Sequence, residues 1–198
     1  MNKKLLLIET IRIQNGRVRH IQYHNQRCNA SRKALFGSKN NINLRNSIDV
    51  SKANTPEVKC RIIYDDRIHK VDYESYTMRS IQTLEPVEIG DFDYSHKYAD
   101  RETLKSFFDQ RGSKDDILMT RKGFITDTYY ANVALLKSGK WYTPKNPLLN
   151  GSCRSRLIDS KEIIPLDIHI NQLIDFESIS LFNAMIPLKK LIIGLQNF

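Results

Sequence analysis

The chain has 198 residues, 40% of them hydrophobic and 27% charged, the balance of an ordinary globular protein, with no repeat or low-complexity segment. Its 31 lysines and arginines against 22 aspartates and glutamates leave a formal charge of +9, a field suited to anionic partners such as nucleic acid, a membrane surface or a polyanionic small molecule. The 3 cysteines, Cys28, Cys60 and Cys153, form no C-x-x-C pair, which argues against a disulfide framework and for a reducing compartment.

The opening, MNKKLLLIETIRI, sets lysines before leucines as a signal peptide does, but its uncharged apolar run, Leu5 to Ile8, stops at Glu9 and is too short to serve as one. No stretch approaches transmembrane length, so a cytoplasmic protein without a membrane partner is expected. Residues 4–13 are rich in aliphatic and β-branched types and are followed by Gln14-Asn15-Gly16 and RVRHI, a strand and hairpin signal. From Gln22 to Phe36 the pattern is helical, with Gly37 as C-cap. The polar stretch after Gly37 reads as a loop holding at most a short second helix. VKCRIIYDD and RIHKVDYESYTM flank Asp65-Asp66 as two strands, and RSIQTLEPVEIG carries the β character on to Gly90. A helix is expected from Tyr98 to Gln110, with Leu104, Phe107 and Phe108 as its apolar contacts. DDILMTRKGFITDTYYANVALLKSGKWYTP then reads as a β-meander turning at RKG and KSGK, within which residues 123–136 form a strand. A further helix runs from Ser152 to Lys161, and the tail alternates strand-like and helical pieces. These elements describe an α+β or α/β chain with a small N-terminal domain, 1–92, and a larger C-terminal domain, 93–198.

One residue in the meander is out of place. Period-2 alternation puts Asp127 on the same side as Ile125 and Tyr129, and a carboxylate among apolar and aromatic neighbours is costly unless a cation or several donors answer it. Three other pieces could carry chemistry: Lys97 in YSHKYADR, where strand meets helix; Gly151-Ser152-Cys153-Arg154, opening a helix; and Arg27 on the first helix. Singly, each has an ordinary reading as a surface lysine, a turn glycine or a solvated arginine. Together they match one ligand. A phosphate asks for helix N-terminal N–H groups and a guanidinium, a protonated pyridine nitrogen for a carboxylate, and an aldehyde for an amine. That set of demands describes pyridoxal 5′-phosphate, PLP.

The sequence resembles the class IV PLP-dependent aminotransferases, the fold type of the D-amino acid and branched-chain aminotransferases. ETIRI, NGRV and YHNQRCNAS are similar to the family's opening strand, hairpin and helix; HKYADR resembles its lysine motif, K-x-x-N-R; GFITDTYYANVALL with GKWYTP resembles G-x-x-x-E-x-x-x-x-N followed by T-P; LLNGSCRSRLI resembles L-x-G-[IV]-[TM]-R. Within the family, LLNGSCR and FNAMIPL are most similar to aminodeoxychorismate lyases. The resemblance covers nearly the whole chain and implies a two-domain fold with a trimmed small N-terminal domain and a C-terminal PLP-binding domain.

It also implies roles. Lys97 would carry the cofactor as a Schiff base and shuttle the proton. Asp127 would face the pyridinium nitrogen, as an aspartate where the family usually has glutamate. Arg27 and the backbone of Ser152 and Cys153 would hold the phosphate, with Asn183 and Ala184 nearby. Arg12, Arg61 and Arg67, all in the small-domain β region, are candidates for the carboxylates of an anionic substrate; Asn132, Thr143 and Arg101 read as structural. The implied activity is conversion of 4-amino-4-deoxychorismate to 4-aminobenzoate and pyruvate, a step in folate precursor synthesis, by a homodimer. A class IV aminotransferase acting on branched-chain or D-amino acids is the nearest alternative. From another class, RVRHIQYHNQR and SRKALFGSKNNINLR offer the arginines, lysines and aromatics of a nucleic-acid-binding protein, but the charge is spread along the chain and no RNA or DNA motif occurs, so no such partner is expected. His20 and His24 stand four apart without the glutamate of an H-E-x-x-H site, and no metal is expected.

Overall fold

Leu7–Gln14 forms strand β1, and it turns back through Asn15 and Gly16, whose φ angles of 47° and 70° make a mirror-image hairpin turn suited to strand twist. The returning strand β2 is only Arg17–Val18. Helix α1 follows at Ile21–Phe36 and ends at Gly37, whose φ of 66° allows its N–H to cap the last turn. Two short 3-10 turns, Leu44–Ser47 and Val50–Lys52, punctuate the stretch read as a loop with at most a short second helix. Strands β3 (Glu57–Tyr64) and β4 (Ile68–Ser75) complete an antiparallel sheet in the order β2-β1-β3-β4. In this computed structural model, which describes residues 4–195, these elements and His96–Asp100 make one compact unit; Arg79–Ser95 and the residues from Arg101 onward make a second.

Burial along β3 alternates without a break, placing Val58, Cys60, Ile62 and Tyr64 against Leu7, Ile11 and Ile13 of β1 and Cys28 of α1. The three cysteines are free thiols, and burial pushes that of Cys28 up to about 12. The inward stripe of α1 is unusual, for His24, Cys28, Ser31 and Arg32 are all buried there. Each polar member therefore needs a partner. Arg32, 1% exposed, donates to the carbonyls of Asp66 (3.0 and 2.8 Å) and Asn40 (2.8 Å) and to Oδ1 of Asn29 (3.0 Å), so one guanidinium pins the helix to two loops.

The second unit is built on a larger sheet, containing β5 (Leu84–Glu88), β6 (Asp116–Arg121), β7 (Phe124–Thr128), β8 (Asn132–Lys137), β9 (Lys140–Pro144) and β10 (Ile164–Leu166), with β11 (Ser178–Phe182) on β8 and β12 (Leu191–Gly194) on β11. Helices α2 (Glu102–Phe108) and α3 (Ser152–Asp159) belong to it, and Leu157 of α3 packs with Ala134, Trp141, Ile163 and Phe182. The edge strands β5 and β10, at the two ends of the main run of strands, both run parallel to their neighbours, and each has a proline at its middle region, Pro86 opposite Leu118 and Pro165 opposite Thr143.

Three expectations change. The β character of Arg79–Gly90 is real, but β5 pairs with β6, so the chain leaves its first unit at residue 78 and not at 92. The helix expected from Tyr98 starts only at Glu102, because Tyr98 bridges Leu7 and the N–H of Ala99 donates to the carbonyl of Leu6 (2.8 Å). Residues 123–136 are not one strand but two, folded back at Tyr129-Tyr130.

Replacing Arg32 by methionine keeps the bulk but strands the carbonyls of Asp66 and Asn40. Urea unfolding should show a loss of about 2–3 kcal/mol, with α1 still helical by circular dichroism.

Candidate active site

The fold-back at Tyr129-Tyr130 decides the surroundings of Asp127. Thr128 closes the turn, its N–H donating to the carbonyl of Ala131 (2.8 Å) while its hydroxyl accepts from the N–H of Ala131 (3.2 Å). Asn132 is thereby set opposite Asp127 across the two strands. Its Nδ2 donates to Asp127 Oδ1 (2.6 Å) and to the carbonyl of Leu149 (2.9 Å), and the N–H of Leu149 donates to Asp127 Oδ2 (2.7 Å). Each carboxyl oxygen thus receives one neutral donor in a site 4% exposed. Burial lifts the acid to about 7; the hydrogen bonds from Leu149 and Asn132 and the charge of Arg154 pull the other way without cancelling it.

Arg154, itself buried, holds the loop that supplies Leu149, donating to the carbonyl of Pro144 (2.8 Å) and to Oδ1 of Asn150 (3.0 Å). Gly151 opens α3 hard against Asn132, where a Cβ would lie 2.1 Å from Oδ1. Without a side chain it contributes no cap, so the first turn, with Ser152 and Cys153, presents a helix start and its dipole of the kind that suits a phosphate. Asn183 ties a neighbouring loop to the Tyr129-Tyr130 turn, donating to the carbonyl of Tyr130 (3.1 Å) and accepting from the N–H groups of Met185 and Ile186. Ala184 follows in that loop, half-buried.

Lys97 and Arg27 belong to the first unit. Lys97, half-buried, rides an extended segment along β1, its carbonyl accepting from the N–H of Ile8 (2.9 Å), and the neighbouring His96 ring contacts the hydroxyl of Ser31 (2.9 Å). Arg27 grips Glu9 with two parallel bonds, Nε to Oε1 (2.8 Å) and Nη2 to Oε2 (2.6 Å), and His24 Nδ1 meets Oε2 at 2.6 Å. Burial alone would raise the fully buried Glu9, but the charge of Arg27 and the bonds from His24 and Arg27 hold it at about 2. An ionised Glu9 can only accept, so His24 carries its proton on Nδ1. Burial drives His24 below its ordinary value against the pull of Glu9, and the charges of Arg27 and Lys97 add to that fall.

Glu9, His24 and Ser31 escaped sequence reasoning, although a signal was present: His24, Arg27 and Ser31 recur at i, i+3 and i+7 on one helix face. The arginines considered for substrate lie elsewhere on the sheet. Arg12 makes a bidentate pair with Glu57 (2.7 and 2.6 Å), Arg61 approaches Glu74 (3.4 Å), and Arg67 is exposed beyond the β3 end. Among the described residues no group of histidine, cysteine or acidic side chains is placed to hold a metal ion, and no helix is long and apolar enough to cross a membrane.

Residues 94–190 match the family model for class IV amino-transferases. A Haemophilus influenzae protein, named only as uncharacterized, is 32% identical over 183 residues, spanning 90% of this chain and 97% of its own. A crystal structure from Haemophilus somnus 129pt, provisionally named a 4-amino-4-deoxychorismate lyase, matches with a TM-score of 0.88 at 30% identity over 95% of this chain and 100% of its own. A hypothetical aminotransferase of Mycobacterium tuberculosis in a PLP-bound form shares the fold, with a TM-score of 0.75 at 18% identity over 94% of this chain and 78% of its own.

Two outcomes follow from the geometry. Gly151→Ala must push Asn132 off Asp127, and its urea midpoint should fall by the equivalent of about 2–4 kcal/mol. For Asp127 the folded acid, at about 7, lies above its ordinary value of 3.8, so the unfolded state holds fewer protons between those values. Without added ligand, stability should therefore decline as pH rises from about 4 to about 7, by roughly 4 kcal/mol at most from this group. Asp116, raised to about 6 chiefly by burial, adds a smaller decline over the same window. Chemical denaturation across that range should show a shallower slope for Asp127→Asn than for wild type.

Proposed function

The chain belongs to the class IV aminotransferase family, and on that premise we propose that it is a PLP-dependent lyase converting 4-amino-4-deoxychorismate to 4-aminobenzoate and pyruvate. The observation that carries the cofactor is Asp127, a buried carboxyl whose two oxygens are met by the neutral donors Asn132 and Leu149, with no countercharge in contact among the described residues. The donor set suits PLP: an acid for a pyridinium, an uncapped helix start and an oriented guanidinium for a phosphate, and a lysine for an aldehyde.

When bound, PLP supplies an electron sink that makes the C–H bond at the amine-bearing carbon of the substrate labile. Lys97 would hold the cofactor through its amine and, once released, take that proton. The task needs a neutral amine near pH 7, hence a lysine pKa lowered by burial or nearby positive charge. Asp127 would stand against the ring nitrogen and keep it protonated. A cation there draws the carboxyl below about 7, so acid and ring would each stabilise the other's charge. Arg27, oriented by Glu9, and the N–H groups of Ser152 and Cys153 would hold the phosphate, with Asn183 and Ala184 bordering it. Loss of that proton would let the C–O bond to the neighbouring enolpyruvyl group break, the leaving enolpyruvate taking up a proton to become pyruvate while the ring becomes aromatic as 4-aminobenzoate.

The lyase is favoured over a transaminase by the likeness to the Haemophilus somnus protein and by the segment Asn183-Ala184-Met185-Ile186-Pro187-Leu188. After incubation with PLP and removal of the excess, wild type should show a visible band that borohydride fixes covalently, and Lys97→Ala should not. Asp127→Ala should bind the cofactor yet lose on the order of 10²–10³ in turnover. Release of 4-aminobenzoate with pyruvate from 4-amino-4-deoxychorismate would establish the lyase; amine transfer to a keto acid without that release would replace it with an aminotransferase.

A further inference from the structure

The turn that places Asp127 also carries two tyrosines, and they are treated very differently. Tyr129 is fixed on every side. Its N–H donates to Asp116 Oδ1 (3.3 Å), its carbonyl accepts from Arg101, Phe108 stacks on its ring at 4.4 Å, and the Arg101 guanidinium lies 4.3 Å from the ring centroid. Tyr130 is fixed only from behind. Its carbonyl is held by Asn183, its ring meets that of Tyr129 at 4.3 Å with the planes 73° apart, and Arg101 lies 4.8 Å from its centroid, yet it remains 45% exposed.

Over the Tyr130 ring, at 5.8 Å, stands the guanidinium of Arg79. Arg79 is exposed and makes no hydrogen bond or ion pair among the described residues. Asp115 and Asp116 feel its charge without bonding it: one Asp115 oxygen accepts from the N–H groups of Gln82 (2.8 Å) and Thr83 (3.0 Å), Asp116 Oδ1 accepts from Ile117 (2.8 Å) and Tyr129, and Asp116 Oδ2 is buried with no hydrogen-bond partner among the described residues. The contrast with Arg12, whose fork is filled by Glu57, is direct.

We propose that Arg79 and Tyr130 form a subsite for a ligand with an unsaturated or aromatic ring bearing a carboxylate. A guanidinium binds a carboxylate through two parallel hydrogen bonds, and an exposed phenol ring beside it offers a face or edge for the ligand's ring. The subsite adjoins the cofactor candidates: Tyr130 is three residues from Asp127 and hydrogen-bonded to Asn183. It deepens the proposed reading, on which it rests for the reaction served, by selecting ring acids over aliphatic amino acids. Binding at Arg79 and Tyr130 does not depend on that reading.

The test is calorimetric titration of wild type, Arg79→Ala, Arg79→Lys and Tyr130→Leu with 4-aminobenzoate and benzoate, with propanoate and aniline lacking ring or carboxylate as controls. Wild type should bind both aromatic acids more tightly than either control. Arg79→Ala should weaken them by about tenfold or more, Arg79→Lys by less, and Tyr130→Leu several-fold, with the borohydride-fixed PLP band unchanged in each. Arg79 is exposed, so its variants test the idea even if Tyr130→Leu fails to fold. Equal affinity in wild type and Arg79→Ala, or no binding by wild type, overturns the subsite. A protein that binds benzoate through Arg79 but never fixes PLP on Lys97 loses the enzymatic reading and keeps the subsite. An active lyase whose KM is untouched by Arg79→Ala keeps the reading and loses the subsite.

Discussion

The carboxyl of Asp127 is the point at which β7, β8 and the approach to α3 are joined. One oxygen is bonded to Asn132 at the start of β8, the other to the backbone of Leu149, and Asn132 closes the ring by reaching the Leu149 carbonyl. Gly151 is small because Asn132 stands where its side chain would be, so the start of α3 is fixed by the same ring of bonds. In a setting with little water these bonds are strong, and the group at their centre is uncomfortable as an anion. The joining of β7, β8 and the start of α3, and the readiness of that spot for a cation, therefore meet in one residue.

Glu9 in the first unit poses the same physical problem and reaches the opposite answer. Both carboxyls are buried, but Glu9 has the guanidinium of Arg27 and the ring of His24 in contact and sits at about 2, whereas Asp127 has only neutral N–H donors in contact and sits at about 7. A carboxylate whose countercharge comes from its own chain is structural and fixes the guanidinium that holds it. One clamped by amides alone is still open to a charge from outside. This difference in contact charge, and not burial, is what sets the two carboxyls apart.

Much of the secondary structure was legible in the sequence, since α1 with its glycine cap, β3, β4 and the turns at Lys122-Gly123 and Ser138-Gly139 follow from periodicity and turn chemistry. The class IV aminotransferase fold was also legible, from the order of short motifs. The fold-back at Tyr129-Tyr130 was not, because aromatic residues favour strands and this turn uses neither glycine nor a positive φ. Tyr98 looked helical by its neighbours and was claimed by a bridge to Leu7, a partner 91 positions away. The strand nature of β5 was visible, whereas its partner was not, since parallel pairing depends on a crossover rather than on adjacency in sequence. Arg32, buried in a helix that otherwise reads as solvated, had no local signature at all. Asp127 could be singled out as an acid needing an answer, but its neighbours could not be named until the turn was seen.

The prolines of β5 and β10 bear on how this protein behaves in a crowd of its own copies. Strands at the ends of a sheet normally offer a row of unsatisfied backbone groups that a neighbouring molecule can continue. Pro86 and Pro165 each delete an N–H from that row and bar the local geometry of a regular added strand. Because Ile164 and Leu166 flank Pro165 and are exposed, β10 would otherwise be an adhesive edge. The two residues act as stops at these two edges, so that neither β5 nor β10 offers a neighbouring copy an unbroken strand to continue.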